Sequence, residues 1–184
     1  MAAITSGEIL FKYSVKTGSA GNTVVGTAAG SLGTYISQTA WAGGAANDLF
    51  DDITGAENAA STVDYRCIFV HNSNGANALQ NAVVYLSAEV AGGASIAIAV
   101  DTTAASALGS ASAQAVTATT ETAPGGTVTG LSFSAPTTAG TGLALGNIPS
   151  GQVKAFWIRR TAANSAALSG DGVTIAVSGD TGSL

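Results

Sequence analysis

The chain has one histidine, His71, one cysteine, Cys67, and eleven carboxylates. Any proton-transfer, nucleophilic or metal chemistry must be assembled from these. His71 closes an apolar run just before the turn-forming stretch NSNGANA at 72–78. A general base needs a nucleophile or proton donor in reach, and a triad needs a carboxylate to orient the ring. Asp64 lies on the same extended run, about 2 nm away at strand spacing, and cannot orient it. His71 therefore reads as a structural hydrogen-bonding residue. Cys67, between Tyr65 and Phe69, reads as a small buried thiol. One Cys and one His do not make a zinc site of the usual kind, and one Cys allows no internal disulfide.

The densest acidic group is Asp48, Asp51, Asp52 and Glu57. A calcium loop wants oxygen ligands at alternate positions and a glycine at the sixth, which this spacing does not supply. The group reads as a solvated acidic turn. Asp171 and Asp180 sit in Gly-rich turns, where an Asp side chain ordinarily bonds its own backbone. Neither has the aromatic neighbours that would line a sugar cleft. Gly140-Thr141-Gly142 with Gly146 misses the dinucleotide spacing, and neither a phosphate-binding loop nor a nucleophile elbow occurs. The expectation is no catalytic, cofactor-binding or metal-binding residue, and no enzyme.

Arginine offers more. Arg66, Arg159 and Arg160 are three of only six basic residues, and all three sit on the two strongest strand candidates. Two readings stand side by side. They pair inside the chain with Asp64, Glu89 or the acidic turn, or they pair with carboxylates of a neighbouring subunit, for which arginine's planar fork is suited.

The elements that position these residues are short strands. Residues 63–71 alternate, with Tyr65, Cys67, Phe69 and His71 on one face and Arg66, Ile68 and Val70 on the other. Apolar groups on both faces imply a strand covered on both sides. After the Asn74-Gly75 turn, residues 81–87 form a second strand, expected to be its antiparallel neighbour. Further strands are expected at 8–15, 94–100, 127–134, 152–160 and 172–178. In 152–160, Lys154, Phe156, Ile158 and Arg160 oppose Ala155, Trp157 and Arg159. Leu49, Phe50 and Ile53 suggest one helical turn, capped by Asp48 and stopped by Gly55. Short strands between Gly-, Asn- and Pro-rich turns indicate an all-β fold, an antiparallel β-sandwich or jelly roll. Residues 1–45, rich in Gly, Thr, Ala and Ser, read as an extended N-terminal arm or long loop with one short strand. Residues 46–184 read as the β-sandwich domain.

Composition narrows the partners. Only 9% of the 184 residues are charged, against about 25% in typical soluble domains. More than half are Ala, Gly, Ser or Thr, so large core-forming side chains are scarce. Burial against other subunits is one remedy, and a homo-oligomer is expected. The net charge is -5 and no basic stripe exists, which argues against direct nucleic-acid binding. No apolar run is long enough for a membrane-spanning helix, so no membrane partner is expected. The first residues lack a basic region followed by an apolar stretch, so no signal peptide is expected and synthesis is placed in a cytoplasm.

Two stretches carry a resemblance: YRCIFVHNSNGANALQNAVVYLS at 65–87, and LGNIPSGQVKAFWIRRTAANSAALSGDGVTIAVSGDT at 145–181. Both resemble a family of small virion structural proteins of tailed bacteriophages. Its pattern is a strand like CIFVHN, an apolar strand after a short turn, and a later GxIPxGQ, WIRR and GD. The matching residues are 67–72, 83–86, Gly146, Ile148-Pro149, Gly151-Gln152, 157–160 and Gly179-Asp180, across roughly the last two thirds of the chain. The resemblance implies a non-enzymatic virion component, made in the bacterial host cytoplasm, that decorates or cements a capsid. The major capsid protein and copies of the chain itself would be its partners. A tail or connector position, or a carbohydrate-binding or adhesive β-sandwich module, is the alternative. On this basis Arg66, Trp157, Arg159 and Arg160 are the candidate interface residues.

Overall fold

The structure, a computed structural model, describes residues 3–18, 23–117, 120–121 and 128–183. Its strands are β1 (Ile9–Val15), β2 (Tyr35–Ala40), β3 (Val63–Asn72), β4 (Asn77–Glu89), β5 (Ser95–Val100), β6 (Ser106–Ala107), β7 (Leu143–Ile148), β8 (Gln152–Thr161) and β9 (Val173–Ser183), with one short helix, α1 (Gly55–Ala60). They form two antiparallel sheets. The larger has the order β2-β1-β3-β8-β5, with β6 also on β8; the smaller has the order β7-β4-β9.

The alternation in the sequence explains how the sheets pack. Ile68 and Val70 of β3 and Phe156 and Ile158 of β8 share one face of the larger sheet. They meet Val84, Leu86, Leu145, Ile148 and Ile175 of the smaller sheet in one hydrophobic core. The opposite face of β3 and β8 presents Cys67, Phe69, Ala155 and Trp157. These are covered by Leu32, Ala113, Val116 and Val128 from connecting segments rather than by a third sheet. The central pair β3–β8 is thus buried on both faces, as its doubly apolar sequence requires.

Four expectations are corrected. Residues 1–45 do not stand apart as an arm: β1 pairs with β3, and β2 forms the sheet edge beside β1. Tyr13, Val15, Leu32 and Ile36 are buried there, so a few large residues anchor a segment otherwise rich in small ones. β3 and β4 are not neighbours but lie in different sheets. The chain crosses at Asn72, whose buried amide donates to the carbonyls of Asn77 and Ile148, both at 2.9 Å. The Asn74 side chain then holds the corner by accepting from the backbone N–H of Ala76 and Asn77. The helical turn expected at 49–53 is absent. The helix starts at Gly55 instead of ending there, because Thr54 and Glu57 form a reciprocal capping box. Of the strand expected at 127–134, Thr127 lies outside the described residues. The remainder makes only a single bridge, Ser134 to Ile98, because Gly130 turns at a φ of +69°.

Candidate functional site

The β3–β8 register places Asp64 opposite Arg160 and Arg66 opposite Ile158 on the inner face. Arg160 donates to Asp64 Oδ2 from Nε at 3.1 Å and from a terminal nitrogen at 2.7 Å. The same guanidinium reaches the Asp51 carboxylate at 3.2 Å and the Asp51 carbonyl. Arg66, also buried, donates to the Leu49 carbonyl at 2.8 Å and the Tyr65 carbonyl at 3.0 Å, and pairs with Glu121. Phe50 lies under both arginines, with its ring centre 4.9 Å from the Arg66 guanidinium carbon and 4.7 Å from that of Arg160. Two arginines and one phenyl ring therefore pin the acidic segment 48–52 to the end of the β3–β8 pair.

Trp157 lies in the covered opposite face and has no exposed surface. Its indole N–H donates to Asp101 Oδ2 at 2.7 Å. Asp101 also accepts from the backbone N–H of Thr103 at 2.8 Å and Gln114 at 3.1 Å, so it organises the covering segment after β5. Lys154, on the inner face, donates to the Asp101 carbonyl at 2.7 Å and to the Thr103 carbonyl. Burial lowers the Lys154 pKa, with Asp101 opposing. Arg159 is half-buried over the Phe133 ring at 4.9 Å, and that ring meets Tyr65 edge-on. Of the four candidate interface residues, Arg66, Trp157 and Arg160 are thus engaged inside the chain, and Arg159 in part. The pairing of Arg160 with Asp64 and the acidic turn follows the intramolecular reading.

The groups weighed for chemistry are not assembled into a reactive site. Cys67 is fully buried, and burial followed by the nearby Asp101 charge pushes its thiol pKa well up, against a Ser14 hydrogen bond. A thiol held protonated is a poor nucleophile. Among the described residues no carboxylate is hydrogen-bonded to His71. Glu57 is committed to the α1 cap, Asp171 accepts from the Ala94 N–H at 2.7 Å, and Asp180 accepts from the Asn81 amide at 3.1 Å. Among the described residues no group of three His, Cys, Asp or Glu side chains is placed to hold a metal ion.

What the structure does gather is apolar surface. Among the described residues three large apolar side chains are exposed: Val25 at 71%, and Val90 and Leu168 at 42% each. Val90 and Leu168 line one open cleft of about 1030 Å³, between the acidic segment and the turn after β8, with Asp52 and Asp171 also in its wall. Sequence reasoning passed over both. Each is a lone large residue inside a turn of Ala, Gly and Ser, and that isolation was the available signal. The outer face of the smaller sheet carries Val83, Tyr85, Ala144, Ala176 and Ser178, with Asp180 the charge at its end. No protein-family model, no curated protein and no solved structure matches the chain.

Proposed function

We propose that the chain is a non-enzymatic structural protein that works by contact with other chains, and most specifically that it decorates or cements a tailed-bacteriophage capsid. The observation that carries the contact reading is the pairing of Val90 and Leu168 in one cleft. Large apolar groups left in water on a chain this poor in them mark a surface that another molecule covers. Two further features support it. Among the described residues β7 and β9 each pair on one side only and leave open sheet edges, and the outer face of the smaller sheet carries only Asp180 as a charge along its β9 row from 176 to 180. The two-sheet packing is read as a β-sandwich, an architecture that leaves loops and edges free for such contacts. The capsid assignment rests on the resemblance of residues 65–87 and 145–181 to phage virion proteins. The major capsid protein and further copies of the chain are the partners it implies.

The test is co-sedimentation of the purified chain with capsids of its parent phage, before and after shell expansion. Saturable binding at tens to hundreds of copies, with shells that survive more heat, is expected for a cement protein. A chain that stays in the supernatant with every capsid form overturns the capsid reading and directs the search to tails and connectors.

A further inference from the structure

Among the described residues the buried cations are paired with acceptors, with one exception. Arg66 and Arg160 hold carboxylates, and Lys154 is capped by two carbonyls. Lys12 has no such partner. It lies on β1, on the face of the larger sheet that points away from the smaller one. The register sets Lys12 opposite Phe69 and Leu10 opposite His71. Lys12 and His71 are therefore diagonal neighbours on one face, a separation of about 7–8 Å between backbones that a long side chain spans. Lys12 is 9% exposed and His71 8%. His71 Nδ1 is sealed from solvent without a hydrogen-bond partner. Lys12 makes no hydrogen bond or ion pair with a described residue, and its ammonium, unlike His71 Nδ1, reaches solvent.

Among the described residues no carboxylate pairs with either group: Asp101, on the same face beyond Ala155, is committed to Trp157 and the Thr103 and Gln114 N–H groups. Phe69, Val153 and Ala155 flank the pair on the same face. Glu8, at the start of β1, is committed to Thr5 and Asn74. Lys154 sits opposite Val70 on the other face of the sheet. A basic side chain whose stem is buried and whose ammonium reaches solvent, beside an imidazole short of an acceptor, forms half of a charge-assisted hydrogen-bond site.

We propose that Lys12 and His71 bind a single oxyanion, a carboxylate or a phosphate, through the lysine ammonium and an imidazole N–H. With the site empty, burial first and the Lys12 charge second hold the His71 pKa below its ordinary value of 6.5, and burial lowers that of Lys12. A bound anion reverses both effects. The sign for stability follows. A histidine whose folded pKa is depressed takes up fewer protons folded than unfolded, so the fold loses stability as pH falls through about 6.5 toward the folded value. The anion reduces that loss.

Because His71 is the only histidine, its ring protons report on the site alone. The experiment is a proton NMR titration of His71 in the full chain, in sodium chloride, sodium phosphate and sodium acetate at equal ionic strength. In chloride the midpoint is expected below 6.5. Phosphate is expected to tighten proton binding saturably by about tenfold. An equal effect of acetate, or a rise with protein concentration alone, identifies a carboxylate as the natural ligand, in the second case from another copy. An effect of phosphate only identifies a phosphate. Lys12→Met is expected to raise the chloride midpoint and abolish the anion-specific increment. An increment that persists in this variant, or phosphate and acetate midpoints equal to chloride in the unaltered chain, overturns the site. The unaltered chain alone decides the matter if the variant does not fold.

Discussion

Arg160 and Asp64 face one another across the β3–β8 pair with both side chains nearly sealed from water. Two charges so placed contribute little net stability as a pair, because desolvation offsets their attraction, yet each is costly without the other. Asp64 Oδ1 already lacks a partner, so the carboxylate has no reserve of hydrogen bonds. Arg160→Ala is expected to destabilise the fold by about 3–5 kcal/mol in urea unfolding. Arg160→Met with Asp64→Leu is expected to cost less than Arg160→Ala alone, and a double variant worse than the single one would refute the pair. At this scale the sequence showed which residues were unusual but not where they were spent. Three arginines on strong strands stood out in a chain with so few charges. Whether a guanidinium turns inward to Asp51 or outward to a neighbour depends on where residues 48–52 lie, and no local pattern encodes that.

Elements were legible in proportion to their large side chains. β3, β5, β8 and β9 were readable because Phe, Ile, Val and Trp alternate there, and alternation specifies a face. β2 carries only Tyr35 and Ile36 as large residues within its six, and β7, with Gly146 and Asn147 in its run, was not among the expected strands. The β3–β4 pairing was misjudged because Asn-Gly signals a hairpin locally, while the buried Asn72 amide turns the chain into the other sheet. Gly33 shows how strictly one covering segment is placed. Its φ is +95°, and a Cβ there would come within 2.6 Å of the Gln114 carbonyl and 3.2 Å of the Trp157 ring. Gly33→Ala is expected to cost about 1–3 kcal/mol and to alter Trp157 fluorescence. Gly55→Ala, in open space at the start of α1, is expected to be neutral or slightly stabilising. Equal effects from the two would refute the close-approach argument.

For the whole molecule, the fold class was readable and the surface was not. Turn spacing and strand count indicated two packed sheets. The cleft is formed by segments far apart in the chain, so Val90 and Leu168 come to line one surface only in three dimensions. Val90→Asp with Leu168→Asp is expected to leave unfolding within about 0.5 kcal/mol of the parent chain while abolishing co-sedimentation with capsids. Capsid binding that survives both changes would remove this cleft as the contact surface and point to the outer face of the smaller sheet.

The strand order has a consequence in time. β8 stands between β3 and β5 in the larger sheet, and β9 completes the smaller sheet against β4. The core between the sheets cannot close until the polypeptide beyond residue 173 has left the ribosome, and the covered face of β3 cannot close before β8 has. Pairings this remote in sequence also fold slowly, because long loops must be closed before any contact rewards the closure. During synthesis the apolar faces of β3 therefore wait uncovered for a partner made roughly ninety residues later, and a truncation before β8 leaves a sticky fragment in place of a smaller domain.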